Sequence, residues 1–357
     1  GGWDEMMRVC GAVTVNDYGD TMTNLIRSND DANFPWLGAL IGSAIIGFWY
    51  WCTDQFIVQR VLSGKNEKEA RRGTIFGAYL KLLPVFLFLI PGMIAFALHQ
   101  KYIGAGGEGF LPLLANGTAN ADAAFPTLVA KLLPAGVKGL VVCGILAALM
   151  SSLASLFNSS AMLFTIDFYK RFKPETPEKK LVGIGQIATV VIVILGILWI
   201  PIMRSVGDVL YTYLQDVQSV LAPGIAAAFL LGICWKRTSA KGGMWGLIAG
   251  MIIGLTRLGA KVYYSNAAVT DSSMFKYLFY DLNWLFFCGW MFLFCIVVVI
   301  VVSLMTEAPS AEKIQGLVFG TSTPEQKAAT RASWNHWDII HTVIILAITA
   351  AFYWYFW

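Results

Sequence analysis

Charged side chains are scarce in this chain. Only 13% of its 357 residues are Asp, Glu, Lys or Arg, whereas 57% are hydrophobic. A soluble domain carries roughly 25% charged residues, so the composition excludes an ordinary soluble protein. It predicts an all-α polytopic membrane protein embedded in a lipid bilayer. The net charge of +4 shows no clustered basic face, so nucleic acid is not an expected partner.

The chain also lacks the patterns of catalytic, metal and disulfide chemistry. Its three histidines, His99, His336 and His341, stand in no arrangement with Ser and an acid that would suggest a hydrolase. Its six cysteines include no Cys-x-x-Cys pair, and in apolar runs they act as small apolar residues. We therefore expect no enzyme activity and no cofactor.

A signal peptide is not recognisable at the start of the sequence. The first residues, GGWDEMMRVCGAVTVNDYGD, are polar and begin without Met. This is the pattern expected of a chain that starts inside a longer protein.

Long apolar runs predict eight membrane-spanning helices, because about 20 apolar residues are enough to cross a bilayer. The predicted spans are 34–62, 74–98, 137–169, 181–203, 209–235, 243–262, 284–305 and 339–357. Residues 1–33 are a polar lead-in. Residues 306–338 are too polar to span.

Lys and Arg predict the orientation of these spans, since they are enriched in cytoplasmic loops. The loops after the first, third, fifth and seventh spans carry most of them, so we expect these loops in the cytoplasm. Arg257 and Lys261 are counted with the sparser set on the other side. The protein is then a multi-pass protein of the plasma (inner) membrane, with the N-terminal loop and the C-terminus at Trp357 extracellular or periplasmic.

Two spans contain residues that interrupt helices. Thr53, Asp54 and Gln55 lie within the first span, and Pro223 and Gly224 lie in the middle of the fifth. Broken helices at mid-membrane free backbone groups that transporters use to coordinate ions and solutes. We therefore expect discontinuous helices in both spans.

The span 137–169 carries hydroxyls and small residues at its centre. Ser151 and Ser152 lie there, and Ala148 precedes Ser151 by three positions on the same helix face. One interpretation is close helix packing, for which membrane helices commonly use small residues. The other is a sodium site, because hydroxyl and carbonyl oxygens suit a hard cation.

Four other polar or aromatic side chains lie within spans. Lys81 either snorkels to the nearby interface or points at a polar partner. Gln215 is either a helix-packing amide or a ligand. Tyr50 and Trp51 lie in the middle of their span and not at its ends, which favours stacking on a sugar ring or closing a pocket over an interfacial belt.

Several blocks resemble the sodium/solute symporter family, and within it the sodium/glucose cotransporter group. They are WYWCTDQFIVQR, GAYLKLLPVF, LMSSLASLFNSS, YLQDVQSVLAPGIAAAFLLGICWKR and KGGMWGLIAG. The last departs from the family signature at Gly243, where Ala is usual. The resemblance covers essentially the whole chain.

This resemblance implies the second half of a five-plus-five inverted-repeat transporter fold, with extra C-terminal helices. The implied parts are an extracellular loop (1–33), the five-helix second repeat (34–235), two further transmembrane helices (236–305), a cytoplasmic loop (306–338) and a C-terminal transmembrane helix (339–357). The first repeat, the N-terminal half of such a transporter, is missing from the sequence and is an expected partner.

The resemblance also implies a sugar site. Lys81 and Gln215 match residues that hydrogen-bond sugar hydroxyls. Tyr50 matches the aromatic residue under the ring that acts as the inner gate, with Trp51 beside it. Gly47 departs from relatives that have Asn or Thr in contact with the sugar.

A sodium site is implied in the same way. Ala148, Ser151 and Ser152 match the half of this site that the third span supplies. In the family the remaining ligands come from the first repeat.

The implied function is sodium-coupled symport of a glucose- or galactose-like hexose by alternating access, with Na⁺ as the coupling ion. One alternative keeps transport and changes the solute to myo-inositol, another polyol or an organic acid. An alternative of another class is a non-transporting sensor or pore on the same scaffold. A sensor would be expected to carry an appended signalling domain, and residues 306–338 are too few for one.

Overall fold

The computed structural model describes residues 2–114, 117–206, 210–266 and 272–356. Over these residues the chain forms helices and isolated β-bridges. The helices are α1 (Trp3–Gly11), α2 (Trp36–Cys52), α3 (Gln55–Leu62), α4 (Glu67–Pro84), α5 (Ile90–Gly104), α6 (Ala124–Leu132), α7 (Ala135–Met162), α8 (Lys170–Phe172), α9 (Glu178–Val206), α10 (Leu210–Cys234), α11 (Ala240–Asn266), α12 (Met274–Lys276), α13 (Trp284–Met305), α14 (Ala311–Ile314), α15 (Pro324–Ser333) and α16 (His336–Tyr355).

Within those described ranges, seven helical runs are long and apolar enough to cross a membrane, and the bent pair α2 and α3 provides an eighth. The seven are Glu67–Gly104, Ala135–Phe172, Glu178–Pro201, Leu210–Cys234, Ala240–Tyr264, Trp284–Met305 and His336–Tyr355. Each of the eight predicted spans overlaps one of these segments. The prediction of an all-α polytopic membrane protein is confirmed.

Three of the runs contain or follow π-helical turns. The run Glu67–Gly104 has one at Val85–Leu89, between Pro84 and Pro91, where the Ile90 N–H bonds the Val85 carbonyl five residues back. Proline donates no N–H, and a single π-turn lets the helix pass such positions without ending.

The chain forms two compact units, which are described separately. Unit 1 comprises residues 1–108 and 210–357, and unit 2 comprises residues 109–209. The predicted boundaries at residues 33, 235, 305 and 338 follow membrane topology instead and stay a prediction.

In unit 1, glycines of α11 bring three helices into close contact. A Cβ on Gly250 would lie 3.0 Å from the Gly224 Cα of α10 and 3.2 Å from the Cys295 Sγ of α13. One turn further along, a Cβ on Gly254 would lie 2.8 Å from the Val220 carbonyl oxygen. Small residues allow membrane helices to approach at this distance. Helices α10, α11 and α13 therefore form the tightly packed centre of unit 1, each in contact with the other two.

Helix α10 runs unbroken from Leu210 to Cys234, so the expected discontinuity at Pro223 and Gly224 is wrong. Pro223 is fully buried, and the Gly224 backbone packs directly on Gly250 of α11. These contacts keep the helix continuous through a residue that has no backbone N–H, as neighbouring helices commonly do in membranes.

The polar lead-in contains a helix, α1, that packs on α5. Met6 and Cys10 of α1 are buried against Met93 of α5, and the Cys10 Sγ donates to the Met93 carbonyl at 3.6 Å. The Trp3 Nε1 donates to the Tyr355 hydroxyl of α16 at 2.9 Å. This part of the chain is thus attached to two long helices.

Asp31 organises the turn that leads into α2. Its Oδ1 accepts the backbone N–H groups of Asn33 and Phe34 at 2.9 and 2.7 Å, and its Oδ2 accepts the Asn16 amide at 3.1 Å. Burial raises the pKa of this carboxyl, but the backbone donors, Arg27 and Asn16 together hold the pKa below its ordinary value of 3.8. The ionised form therefore stabilises this turn.

In unit 2, α7 packs against α9 along part of its length. The Ser159 hydroxyl is buried and donates to the Ser155 carbonyl at 2.8 Å. By contrast, residues 142–154 are all exposed in this unit. The apolar middle of α7 is left uncovered by the other residues of its unit.

Candidate functional site

The first span is broken just after Tyr50 and Trp51, as expected. Helices α2 and α3 meet at an angle of 50°. The Thr53 hydroxyl donates to the Trp49 carbonyl at 2.7 Å, and the Asp54 N–H bonds the same oxygen at 3.2 Å. An α-helix would pair the Asp54 N–H with the Tyr50 carbonyl. Asp54 then caps α3 by accepting the Phe56 N–H at 3.1 Å.

Lys81 of α4 and Trp51 of α2 are brought together at this break. The Lys81 Nζ lies 5.6 Å from the centroid of the Trp51 ring, within cation–π range. The Tyr50 ring meets the Trp51 ring edge-on at 5.4 Å. Lys81 is exposed, and Trp51 is 48% exposed. Three of the four predicted sugar-site residues therefore form one contiguous group on an accessible surface of unit 1.

Gln215 lies elsewhere along the same unit. Tyr211, one turn before it on α10, contacts Phe34 just before α2, with ring centroids 6.5 Å apart. The two helices share a buried cluster further along, so they run in parallel. In this register Gln215 stands about 12 residues, or roughly 18 Å, from Tyr50 along the axis. The sequence pattern does not reveal this offset. Among the described residues, no hydrogen bond or ring contact joins Gln215 to the other three.

Ala148, Ser151 and Ser152 lie on α7 of unit 2. All three are exposed, so their side chains are open to a ligand or to further protein. Hydroxyl oxygens of this kind suit a sodium ion. Unit 2 alone supplies two hydroxyls on adjacent residues. Their assignment to a sodium site stays a prediction.

A buried ion cluster was missed by sequence reasoning. Asp216 of α10 forms ion pairs with two cations of α11. Its Oδ1 lies 3.4 Å from the Arg257 Nη2, and its Oδ2 accepts the Lys261 ammonium. Arg257 is fully buried, so counting it among outer-loop cations was wrong. The sequence did contain a signal for this cluster. Arg257 and Lys261 lie four residues apart in the predicted span 243–262, and Asp216 is the acidic residue of the preceding span.

Arg257 is held from a second side as well. Its Nη2 donates to the Leu282 carbonyl at 2.8 Å, just before α13 begins. Its guanidinium lies 4.1 Å from the centroid of the Phe287 ring in α13. A buried guanidinium is tolerated when it is paired and hydrogen-bonded in this way. The cluster therefore connects α10, α11 and the start of α13.

Many apolar helical spans, one of them broken beside an aromatic and cationic group, define a polytopic membrane protein of the transporter class. The model of the sodium:solute symporter family matches residues 1–250. The chain belongs to the sodium:solute symporter family, which is named for transport and not for catalysis.

The chain is similar to three curated cotransporters. It is 38% identical to the sodium/myo-inositol cotransporter 2 of Homo sapiens over 300 residues, covering 84% of this chain and 44% of the relative. It is 36% identical to a sodium/mannose cotransporter of Bos taurus over 345 residues, covering 93% and 58%. It is 36% identical to the sodium/glucose cotransporter 4 of Mus musculus over 300 residues, covering 84% and 44%. The chain thus spans about half the length of these relatives.

Proposed function

We propose that the protein couples sodium entry to the uptake of a sugar or polyol across the plasma membrane. Family membership and relatives named for myo-inositol, mannose and glucose cotransport support this. Each sodium charge that enters is worth about 2.3 kcal/mol per 100 mV of membrane potential. That free energy drives solute accumulation when both ligands favour the same conformation.

The observation that carries the proposal is the group formed by Lys81, Trp51 and Tyr50 beside the helix break. An aromatic face packs against the C–H face of a sugar ring, and an ammonium donates up to three hydrogen bonds to hydroxyl oxygens. The rearranged bonding at Asp54 also leaves the Tyr50 carbonyl without its usual helical donor. Aromatic rings for stacking, the Lys81 ammonium as a hydrogen-bond donor and the Tyr50 carbonyl as an acceptor thus lie close together.

We propose a glucose- or galactose-like hexose as the solute, with Gln215 as a second hydrogen-bonding residue. Because Gln215 stands roughly 18 Å from Tyr50 along the axis, it would contact the solute at a different point of the pathway from the group of Lys81, Trp51 and Tyr50. myo-Inositol is the second candidate, because a relative named for it is 38% identical and its ring presents a similar set of hydroxyls. We assign sodium to Ala148, Ser151 and Ser152. The remaining ligands of both sites would come from other segments of the full-length protein.

The test is sodium-dependent uptake by the full-length protein in sealed proteoliposomes. Lys81→Ala and Gln215→Ala should each reduce hexose uptake at least several-fold at subsaturating solute. Lys68→Ala is the matched control, since Lys68 lies on the same helix α4 and is exposed. Normal uptake in both site variants would refute the solute site. Competition by myo-inositol and mannose ranks the candidate solutes.

The sodium assignment is tested separately in the same uptake assay. Ser152→Ala should raise the sodium concentration needed for half-maximal uptake more than it changes solute affinity, because it removes a hydroxyl ligand. Leu149→Ala, an exposed residue on the same helix, is the control. Uptake that stops at equal concentrations inside and outside, despite a sodium gradient, would favour a pore over a symporter.

A further inference from the structure

Asp216 is the acid of a buried cluster with two cations, and its two oxygens face different partners. One oxygen pairs with Arg257 and the other with Lys261. A carboxylate held at both oxygens has little rotational freedom. Moving either oxygen away from its cation would leave a buried charge unpaired, which is costly. Asp216 is therefore fixed relative to α11.

Arg257, one of the two cations, is anchored independently of α10. Arg257 bonds the Leu282 carbonyl and stacks on the Phe287 ring. Removing Asp216 would leave these two contacts in place. The cluster thus positions α10 on a framework made by α11 and the start of α13, and not the reverse.

We call Asp216 with its partners Arg257 and Lys261 the clamp. The clamp acts on the part of α10 that the glycine contacts do not reach. Close backbone contacts with α11 begin at Val220 and continue at Gly224. The preceding turns, from Leu210 to Asp216, include the ion pairs of Asp216, the ring contact of Tyr211 and the buried side chain of Tyr213. The ion pairs of Asp216 are therefore among the contacts that fix the rotation of this first section of α10.

Gln215 lies on this first section, on the face next to that of Asp216. Consecutive residues of an α-helix point about 100° apart. Tyr211, four positions before Gln215, touches Phe34 at the start of α2. Ala222, seven positions after Gln215, belongs to the buried cluster that contains Ile45 of α2. Gln215 is thus on the side of α10 that faces α2 while Asp216 faces α11.

We infer that Asp216, clamped by Arg257 and Lys261, is a positioning residue that orients Gln215 toward the solute. This inference rests on the proposed function, and it adds three residues to the site that do not touch the solute themselves. The clamp contributes to fixing the rotation of the first turns of α10. Gln215 then presents its amide in a single direction, which lowers the cost of ordering it when solute binds.

The test is a double-mutant cycle in full-length protein, with the KM for solute as the measure. Lys261→Met is the first variant, because it loosens the clamp and leaves the Asp216–Arg257 pair intact, so the protein still folds. Asp216→Asn is the second. Each should raise KM at least fivefold with a smaller change in the maximal rate, and each should add less than twofold when combined with Gln215→Ala. Lys276→Met, which removes the partially exposed Lys276–Asp281 pair, is the control and should leave KM unchanged.

A readout without transport accompanies the cycle. Gln215→Cys is introduced into the full-length protein, and its rate of modification by a small methanethiosulfonate reagent is measured by peptide mass spectrometry. Lys261→Met should change this rate at least fivefold, while Lys276→Met should not. Loss of folding would appear as altered elution on gel filtration and is thereby separated from misorientation.

The outcomes are distinct. Multiplicative effects of Gln215→Ala and the clamp variants on KM, or an unchanged modification rate in Lys261→Met, would overturn the positioning role. An unchanged KM in the single variant Gln215→Ala would contradict the assignment of Gln215 to the solute site, and with it the positioning role of the clamp. Non-additive KM values together with a changed modification rate support the inference.

Discussion

The ammonium of Lys81 lies 5.6 Å from the centre of the Trp51 ring, across the break between α2 and α3. The two residues come from spans joined by the exposed turn at 63–66, so the contact ties the break in the first span to the second span. A cation over an indole is attracted by the ring quadrupole.

We expect Lys81 and Trp51 to act as a pair in solute binding. Trp51→Leu and Lys81→Met should each weaken solute binding, and the double variant should be less impaired than the product of the two. At an exposed site a cation–π contact is worth about 0.5–1 kcal/mol, so the coupling should be roughly two- to fivefold in affinity. Solute-dependent tryptophan fluorescence or equilibrium binding in detergent measures it. Independent, multiplicative losses would show that the contact has no part in binding.

The packing of α2 on α13 gives a prediction on stability. A Cβ on Gly42 would lie 2.9 Å from the Leu285 carbonyl oxygen and 3.0 Å from its Cα, whereas a Cβ on Gly47 would meet nothing within 4 Å. Gly42→Ala must therefore separate two backbones and should destabilise the protein by about 1–3 kcal/mol. Gly47→Ala, on the same helix, should be neutral or slightly stabilising. Thermal unfolding in detergent compares the two, and equal midpoints would contradict the close approach of α2 and α13.

The turn before α2 should loosen in acid. The folded-state pKa of Asp31 lies below its ordinary value of 3.8, so its ionised form adds stability above that pH. This stability is lost as the pH falls through the lowered pKa. The pKa of Asp20 is also lowered, by the Asn16 amide and then the Ser28 backbone N–H, so it acts in the same direction.

Hydrogen exchange tests this pH dependence. After correction for intrinsic rates, the amides of Ser28, Asn33 and Phe34, which bond these carboxylates, should exchange several-fold faster at about pH 3 than at about pH 6. Asp31→Asn should weaken protection of Asn33 and Phe34 at neutral pH and remove most of its change with pH. A wild-type segment with the same protection at both pH values would contradict the account.

Cys10 should resist thiol reagents. It is fully buried between α1 and α5, and burial raises the pKa of its thiol above the ordinary value of 9.0. The reactive species is the thiolate, so modification at neutral pH should be at least about tenfold slower than for a cysteine placed at the nearby exposed Thr14. Labelling of Thr14→Cys and Cys10 is compared by mass spectrometry in one protein. Equal rates would mean that α1 does not stay packed on α5.

Hydropathy predicted the long helices well because membrane spans must satisfy their backbone internally and face lipid with apolar side chains. The break after Trp51 was also visible, since Thr53 and Asp54 interrupt an apolar run. Helix α1 was not foreseen, because a nine-residue amphipathic helix in a polar segment depends on α5 to bury Met6 and Cys10. Local sequence alone does not contain that partner.

Two features depended on tertiary contacts in the same way. Pro223 pointed to a broken helix, but the contact of Gly224 with Gly250 keeps α10 continuous. The sequence placed Arg257 among the cations near the outer membrane surface, but in the structure it is buried and bonded to Asp216 and to the Leu282 carbonyl. The group of Lys81, Trp51 and Tyr50 was predicted from the family resemblance, while its distance from Gln215 required the register between α2 and α10.

The strip of glycines on α11 limits how this unit can move. Helices α10 and α13 both pack on bare main chain of α11 there, because the glycines contribute no side chains to the contact. Turning either helix would drive a side chain into the α11 backbone, and tightly packed elements do not yield gradually. The three helices therefore behave as one block, and any opening or closing in this unit takes place at the borders of that block.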